Sequence, residues 1–136
     1  FESVDIESCQ DHGLTIDAGT LAWWFDQPGV ARAQLKDGDG LSSCLNRLRQ
    51  FVDDADEAWA NSPKFDMGIL EAAYDAIGEE APWEFYQLRD YRTLTDLSGA
   101  QTSEPVGVDH HALDDAFYQA TVAADTLAVL EDGCDG

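Results

Sequence analysis

"EAWANSPKFDMGILEAAYDAIG", residues 57–78, holds a passage from strand to helix that sets the fold class. It opens on a short apolar run, "EAWA", and passes through "NSPKFD", where Pro63 marks a turn. From Met67 the apolar residues recur at helical spacing as far as Gly78, a natural C-terminal stop. Strand, turn and helix follow one another within a few tens of ångströms of chain, the beginning of an α/β unit.

The flanking segments extend the alternation. Towards the N-terminus, "FESVDIES" at 1–8 places Phe1, Val4 and Ile6 in loose alternation and predicts a short strand. Asp17 is positioned to cap a helix over "AGTLAWWFDQ", which Pro28 and Gly29 interrupt before "VARAQL" resumes. "DGDG" at 37–40 predicts a loop, and Leu41, Cys44, Leu45, Leu48, Phe51 and Val52 trace one face of an amphipathic helix. Towards the C-terminus, "PWEFYQLRD" predicts a short strand, "YRTLTDL" a helix, residues 99–109 a loop, and His110 to Leu130 a final helix. Repeats and low-complexity tracts are absent, and the length suits one domain over 1–136.

Composition narrows the function. Formal net charge is -21, from 28 acids against 7 Lys plus Arg. A field of that sign repels phosphate backbones at long range, which argues against a nucleic-acid protein of the basic-patch kind. Divalent cations that bridge acids to phosphates weaken this exclusion, and an acidic, lysine-poor surface also suits a cytosol rich in salt. With 44% hydrophobic residues and four tryptophans the chain can build a core rather than remain disordered. Cys9, Cys44 and Cys134 are odd in number and lack a CxxC pair, so a reducing cytoplasm is expected and a disulfide framework or thiolate metal site is not. No window approaches the ~20 apolar residues of a membrane helix, so no membrane partner is expected.

Two acidic turns carry the chemistry. Asp66 lies where the strand at "EAWA" passes into a helix, and "HHALDD" at 110–115 places His110 and Asp115 around the start of another. Carboxylates from two element ends can converge on one hard cation, for which oxygen donors and waters suffice. A nearby histidine titrates close to neutral pH and can take a proton from attacking water. Metal and base together indicate phosphate-ester hydrolysis. Taken alone, Asp66 and Asp114 are ordinary acids in the first turn of a helix, stabilised by its dipole, and His110 and His111 are loop or capping residues.

In these motifs the chain resembles the DEDDh 3′-to-5′ exonucleases of the ribonuclease H-like superfamily. "HHALDD" matches their HxALxD motif, with His110 as general base and Asp115 as metal ligand, and "NSPKFD" matches their Asn…aromatic-Asp motif, with Asp66 as metal ligand. "GLTIDAGTLAWWFDQPGVARAQL" and "RDYRTL" are similar to segments of the phage- and prophage-type exoribonuclease branch. The resemblance implies a three-layer ribonuclease H-like α/β fold, two Mg²⁺ or Mn²⁺ ions, and single-stranded RNA or DNA as substrate. It leaves open a homo-oligomer or a larger viral assembly, in which case the cytoplasm is that of the host.

The family's first motif, DxE on the first strand, is the point of departure. Asp5-x-Glu7 in "VDIES" offers the pattern, but about fifteen residues separate Glu7 from the helix of Trp23, too few for two intervening strands. Asp5 and Glu7 are therefore expected at a strand edge and not at the metal. The chain, which starts at Phe1, is expected to lack its first strands and the true DxE. Trp23 and Trp24 are expected in the core, with base stacking as the alternative. Arg89 and Arg92, flanking Asp90, are candidate contacts for substrate phosphate, with internal ion pairs as the alternative. A catalytically inactive exonuclease-fold module for binding or structure is the competing function, favoured by the missing motif and the charge.

Overall fold

The computed structural model of the protein describes residues 2–98, 107, 108 and 110–134. The reading of 57–78 holds. Strand β1, Ala58–Ala60, turns at Asn61 and Ser62 into a helix over Pro63–Ala76, and the chain returns through a 3-10 turn at Phe85–Gln87 to strand β2, Leu88–Asp90. The two strands pair in parallel, with Ala58 opposite Leu88 and Ala60 opposite Asp90. Parallel neighbours require a crossover, which the intervening helix supplies. Gly78, at φ +77, ends that crossover helix in the left-handed region that glycine adopts without strain.

In chain order the helices are α1 (Ile6–Asp11), α2 (Ala18–Phe25), α3 (Gly29–Ala33), α4 (Leu41–Val52), α5 (Pro63–Ala76), α6 (Tyr91–Ser98) and α7 (Ala112–Cys134). Asp17 caps α2 as expected, its carboxylate accepting from Thr20 N at 2.7 Å. Two apolar clusters hold the elements. Leu41 and Leu45 of α4 pack on Ala73 and Tyr74 of α5, with Leu14, Leu48 and Trp83 around them. Tyr91 of α6 packs on Val122 and Ala123 of α7. The α4 stripe was legible because its apolar residues recur at helical spacing; Phe51, at its far end, is exposed.

The expected strand at 1–8 is corrected. Asp5 instead caps α1, its carboxylate accepting from Ser8 N at 2.8 Å. That local bond offers the backbone a helical start, which outweighs three loosely alternating apolar side chains. Pairing in this region shrinks to an isolated parallel bridge between Val4 and Asp39. Gly38 permits the approach, since a Cβ there would lie 2.3 Å from the Val4 carbonyl carbon. Asp5 is thus a helix cap and not a strand-edge acid, and Glu7 lies within α1.

The final helix starts at Ala112, not His110, because His110 takes φ +63, outside helical space. The loop expected at 99–109 falls outside the described residues apart from Gly107 and Val108. Mixed α/β character is confirmed, with a two-stranded parallel sheet among the described residues. No helix of the described residues is long and apolar enough to cross a membrane.

Candidate active site

The turn after β1 sets the position of Asp66. Ser62 sits at φ +85, and Pro63, whose missing N–H costs nothing in a first turn, starts α5 immediately after it. Asp66 therefore falls in that first turn, its N–H donating to Ser62 O at 3.2 Å. Burial pushes the Asp66 carboxyl above the usual carboxylate range.

The approach to α7 is tied down by its own acids. Asp114 Oδ2 accepts from Val108 N at 2.9 Å and lies 3.6 Å from His111 Nδ1. Gly107, at φ +126, makes room for this carboxylate, because a Cβ there would stand 2.7 Å from Asp114 Oδ2. Asp114 thus anchors the segment that leads to His110, while Asp115 begins the helical ladder by donating its N–H to His111 O at 3.0 Å.

His110 is held from the other half of the molecule. Its ring meets Trp23 edge to face at 4.8 Å between centroids, and Trp23 in turn meets Trp24 at 5.0 Å. The Gln34 side chain, just beyond α3, donates from Nε2 to His110 O at 2.6 Å and accepts at Oε1 from Ala112 N at 3.1 Å.

These elements border an open cleft of about 530 Å³ whose lining includes Asp66, His110 and Asp115 together with Trp23, Trp24, Gln34, Phe65 and Glu2. The three residues singled out from the two acidic turns therefore share one cavity, although more than forty positions separate Asp66 from the other two. Glu2, at the margin, is engaged by the Arg47 guanidinium, whose hydrogen bonds hold its carboxyl below the usual range despite the opposing effect of burial. Among the described residues, no group of three or more His, Cys, Asp or Glu side chains is arranged to hold a metal ion.

The core expectation for Trp23 changes here, and Arg89 and Arg92 stand outside the cleft lining. Trp23 is not core but 43% exposed at the cleft wall, whereas Trp24 is half-buried. Helix α2 has no buried residue, and adjacent positions on it point in different directions. Arg89 does not reach the cleft: it pairs with Glu57 at 2.8 Å and donates to the Leu88 carbonyl, the internal role weighed as its alternative. Arg92 does not line the cleft either; its N–H donates to Asp90 Oδ1 at 3.0 Å at the start of α6. Sequence reasoning missed Gln34 and Phe65. Phe65 stands within the quoted "NSPKFD" beside Asp66, but nothing in the spacing of Gln34 signals a partner 76 residues away.

The family model of the 3′-5′ exoribonuclease Rv2179c-like domain matches residues 1–127. The chain is also 30% identical over 131 residues to a probable transcriptional regulatory protein of Kocuria rhizophila, an alignment that covers 89% of this chain and 52% of the relative. It thus spans about half the length of that curated relative. No solved structure matches the chain.

Proposed function

Because the chain belongs to the 3′-5′ exoribonuclease Rv2179c-like domain family, we propose that its cleft is a metal-dependent site for hydrolysing single-stranded RNA or DNA from the 3′ end. The observation that carries this is that Asp66, His110 and Asp115 line one cleft. We read the parallel β1–α5–β2 unit as part of a ribonuclease H-like domain of the DEDDh, phage-type branch, in which Asp66 and Asp115 are metal ligands.

Two carboxylates suit magnesium or manganese in chemistry, since both ions take hard oxygen donors and keep several waters. The burial that raises Asp66 marks a carboxylate whose ionised form gains from a nearby cation. The pair falls short of a full two-ion ligand set, which needs further acids besides Asp66 and Asp115. When bound, Mg²⁺ or Mn²⁺ supplies positive charge against that developing on the phosphodiester.

The chain's own residues do the rest. His110 takes the proton of the attacking water as the water oxygen bonds to phosphorus and the bond to the 3′-oxygen breaks. Trp23 buttresses the imidazole, and the exposed ring of Phe65 offers a face to a base. Neutral substrate groups meet no electrostatic barrier in the cleft, but phosphates do, so divalent ions also serve to offset the acidic field.

The test is degradation of a 5′-labelled single-stranded oligoribonucleotide in Mn²⁺. Products shortening stepwise from the 3′ end, abolished by His110→Ala, support the proposal. An intact oligonucleotide supports the second reading, a non-catalytic binding module, which the lack of a three-ligand group among the described residues favours.

A further inference from the structure

His110 occupies a backbone conformation that non-glycine residues populate sparsely. At φ +63 it lies in the left-handed region, where its Cβ crowds the following carbonyl, so the surrounding structure must hold it there. The neighbouring Asp114–Val108 bond secures the segment before it, the α7 ladder secures the segment after it, and the His111 N–H donating to Val108 O at 3.0 Å closes the turn that contains residue 110. None of these bonds the His110 carbonyl.

Gln34 does. Its amide donates to the His110 carbonyl at 2.6 Å and accepts from Ala112 N at 3.1 Å, so one side chain grips the backbone on both sides of His111. The chemistry fixes which end is which: only the NH₂ can serve a carbonyl, and only the oxygen can serve an N–H. The Ala112 N–H is one of the orphan donors of the α7 start, which gives the second bond an ordinary capping role. The first bond caps nothing. It sets the His110 peptide, while the Trp23 ring, 4.8 Å away on the preceding helix, sets the imidazole. The α2–α3 segment therefore adds two constraints on His110 from one run of chain.

We infer that Gln34 is a positioning residue for His110: its two-sided amide clamp holds the left-handed peptide that aims the imidazole into the cleft. The inference rests on the exonuclease reading for its kinetic consequence, but not for the clamp itself. Misplacing a base by about 1 Å lowers turnover by roughly a hundredfold.

Two variants separate the clamp from the cap. Gln34→Glu keeps an acceptor for Ala112 N and loses the donor to His110 O, whereas Gln34→Ala loses both. Exonuclease kinetics in Mn²⁺ and the imidazole resonances in ¹H–¹³C spectra provide independent readouts, with His110 assigned by His110→Ala among the three histidines. In both variants kcat is expected to fall by about a hundredfold with KM unchanged, and the His110 resonance to lose the ring-current displacement caused by Trp23. Should Gln34→Ala fail to fold, Gln34→Glu carries the test, because its helix start is intact. An active wild type with unchanged kcat and an unmoved His110 resonance in Gln34→Glu overturns the clamp and leaves the exonuclease standing. A wild type without activity overturns the exonuclease, and the resonance alone then judges the clamp.

Discussion

Tyr74 joins the helix that presents Asp66 to the rest of the core, and its replacement has a magnitude that the structure sets. The side chain is fully buried. Its hydroxyl donates to Leu45 O at 2.8 Å, its ring meets Trp83 edge to face at 6.0 Å, and the Arg49 guanidinium lies 5.2 Å from its centroid. Tyr74→Phe retains the ring and both of its ring contacts and removes one hydrogen bond. The Leu45 carbonyl keeps its place in the α4 ladder, so no acceptor is orphaned and the cost is about 1 kcal/mol. Tyr74→Ala removes the ring as well, with an expected loss of about 3–5 kcal/mol from transfer and cavity terms together. Urea unfolding followed by tryptophan fluorescence measures both, provided that the slope against denaturant is the same for all three proteins. Equal losses for the two variants, or a loss below about 1 kcal/mol for Tyr74→Ala, would refute the packing of α4 on α5 described above.

Further outcomes follow from Asp66 and Gly38. Burial raises the Asp66 pKa in the folded state above its unfolded value, so the folded protein holds that proton more tightly. The associated stability is full below the ordinary carboxylate pKa of about 3.9 and is lost as pH rises through the raised folded value. Without divalent metal, Asp66→Asn should therefore melt above wild type at neutral pH and lose this advantage in acid, while its nuclease activity disappears; a lower melting temperature at pH 7 contradicts the burial argument. Gly38→Ala forces a Cβ against the backbone of Val4, breaks the Val4–Asp39 bridge and should cost about 1–3 kcal/mol in urea unfolding, whereas a neutral result excludes that close approach.

The elements legible in the sequence were those defined by local signals. Asp17 capping α2, the α4 stripe, Pro63 and Gly78 bounding the crossover helix, and the strand before Tyr91 depend on neighbours a few positions away. Segment 1–8 misled because alternation and a capping aspartate compete in it, and the hydrogen bond to Ser8 N prevails. At the cleft, the motif residues Asp66, His110 and Asp115 could be named from spacing and resemblance, but that they line one cleft could not. It depends on the turn at Ser62, the left-handed peptide of His110 and the reach of Gln34, all properties of tertiary packing. The exposure of Trp23 was hidden for the same reason: an apolar ring on a cleft wall and one in a core look alike in sequence.

A Mn²⁺ titration of the melting temperature in concentrated KCl asks whether Asp66 and Asp115 jointly hold a divalent ion beside His110. Monovalent salt at that level already screens the diffuse acidic field, so any further rise reports a specific site. At a hundredfold excess of ion over Kd the stabilisation amounts to ~2.7 kcal/mol. That rise is expected in the wild type, is retained in His110→Ala and is reduced in Asp115→Asn. No rise in the wild type, or the same rise in Asp115→Asn, would contradict joint ligation.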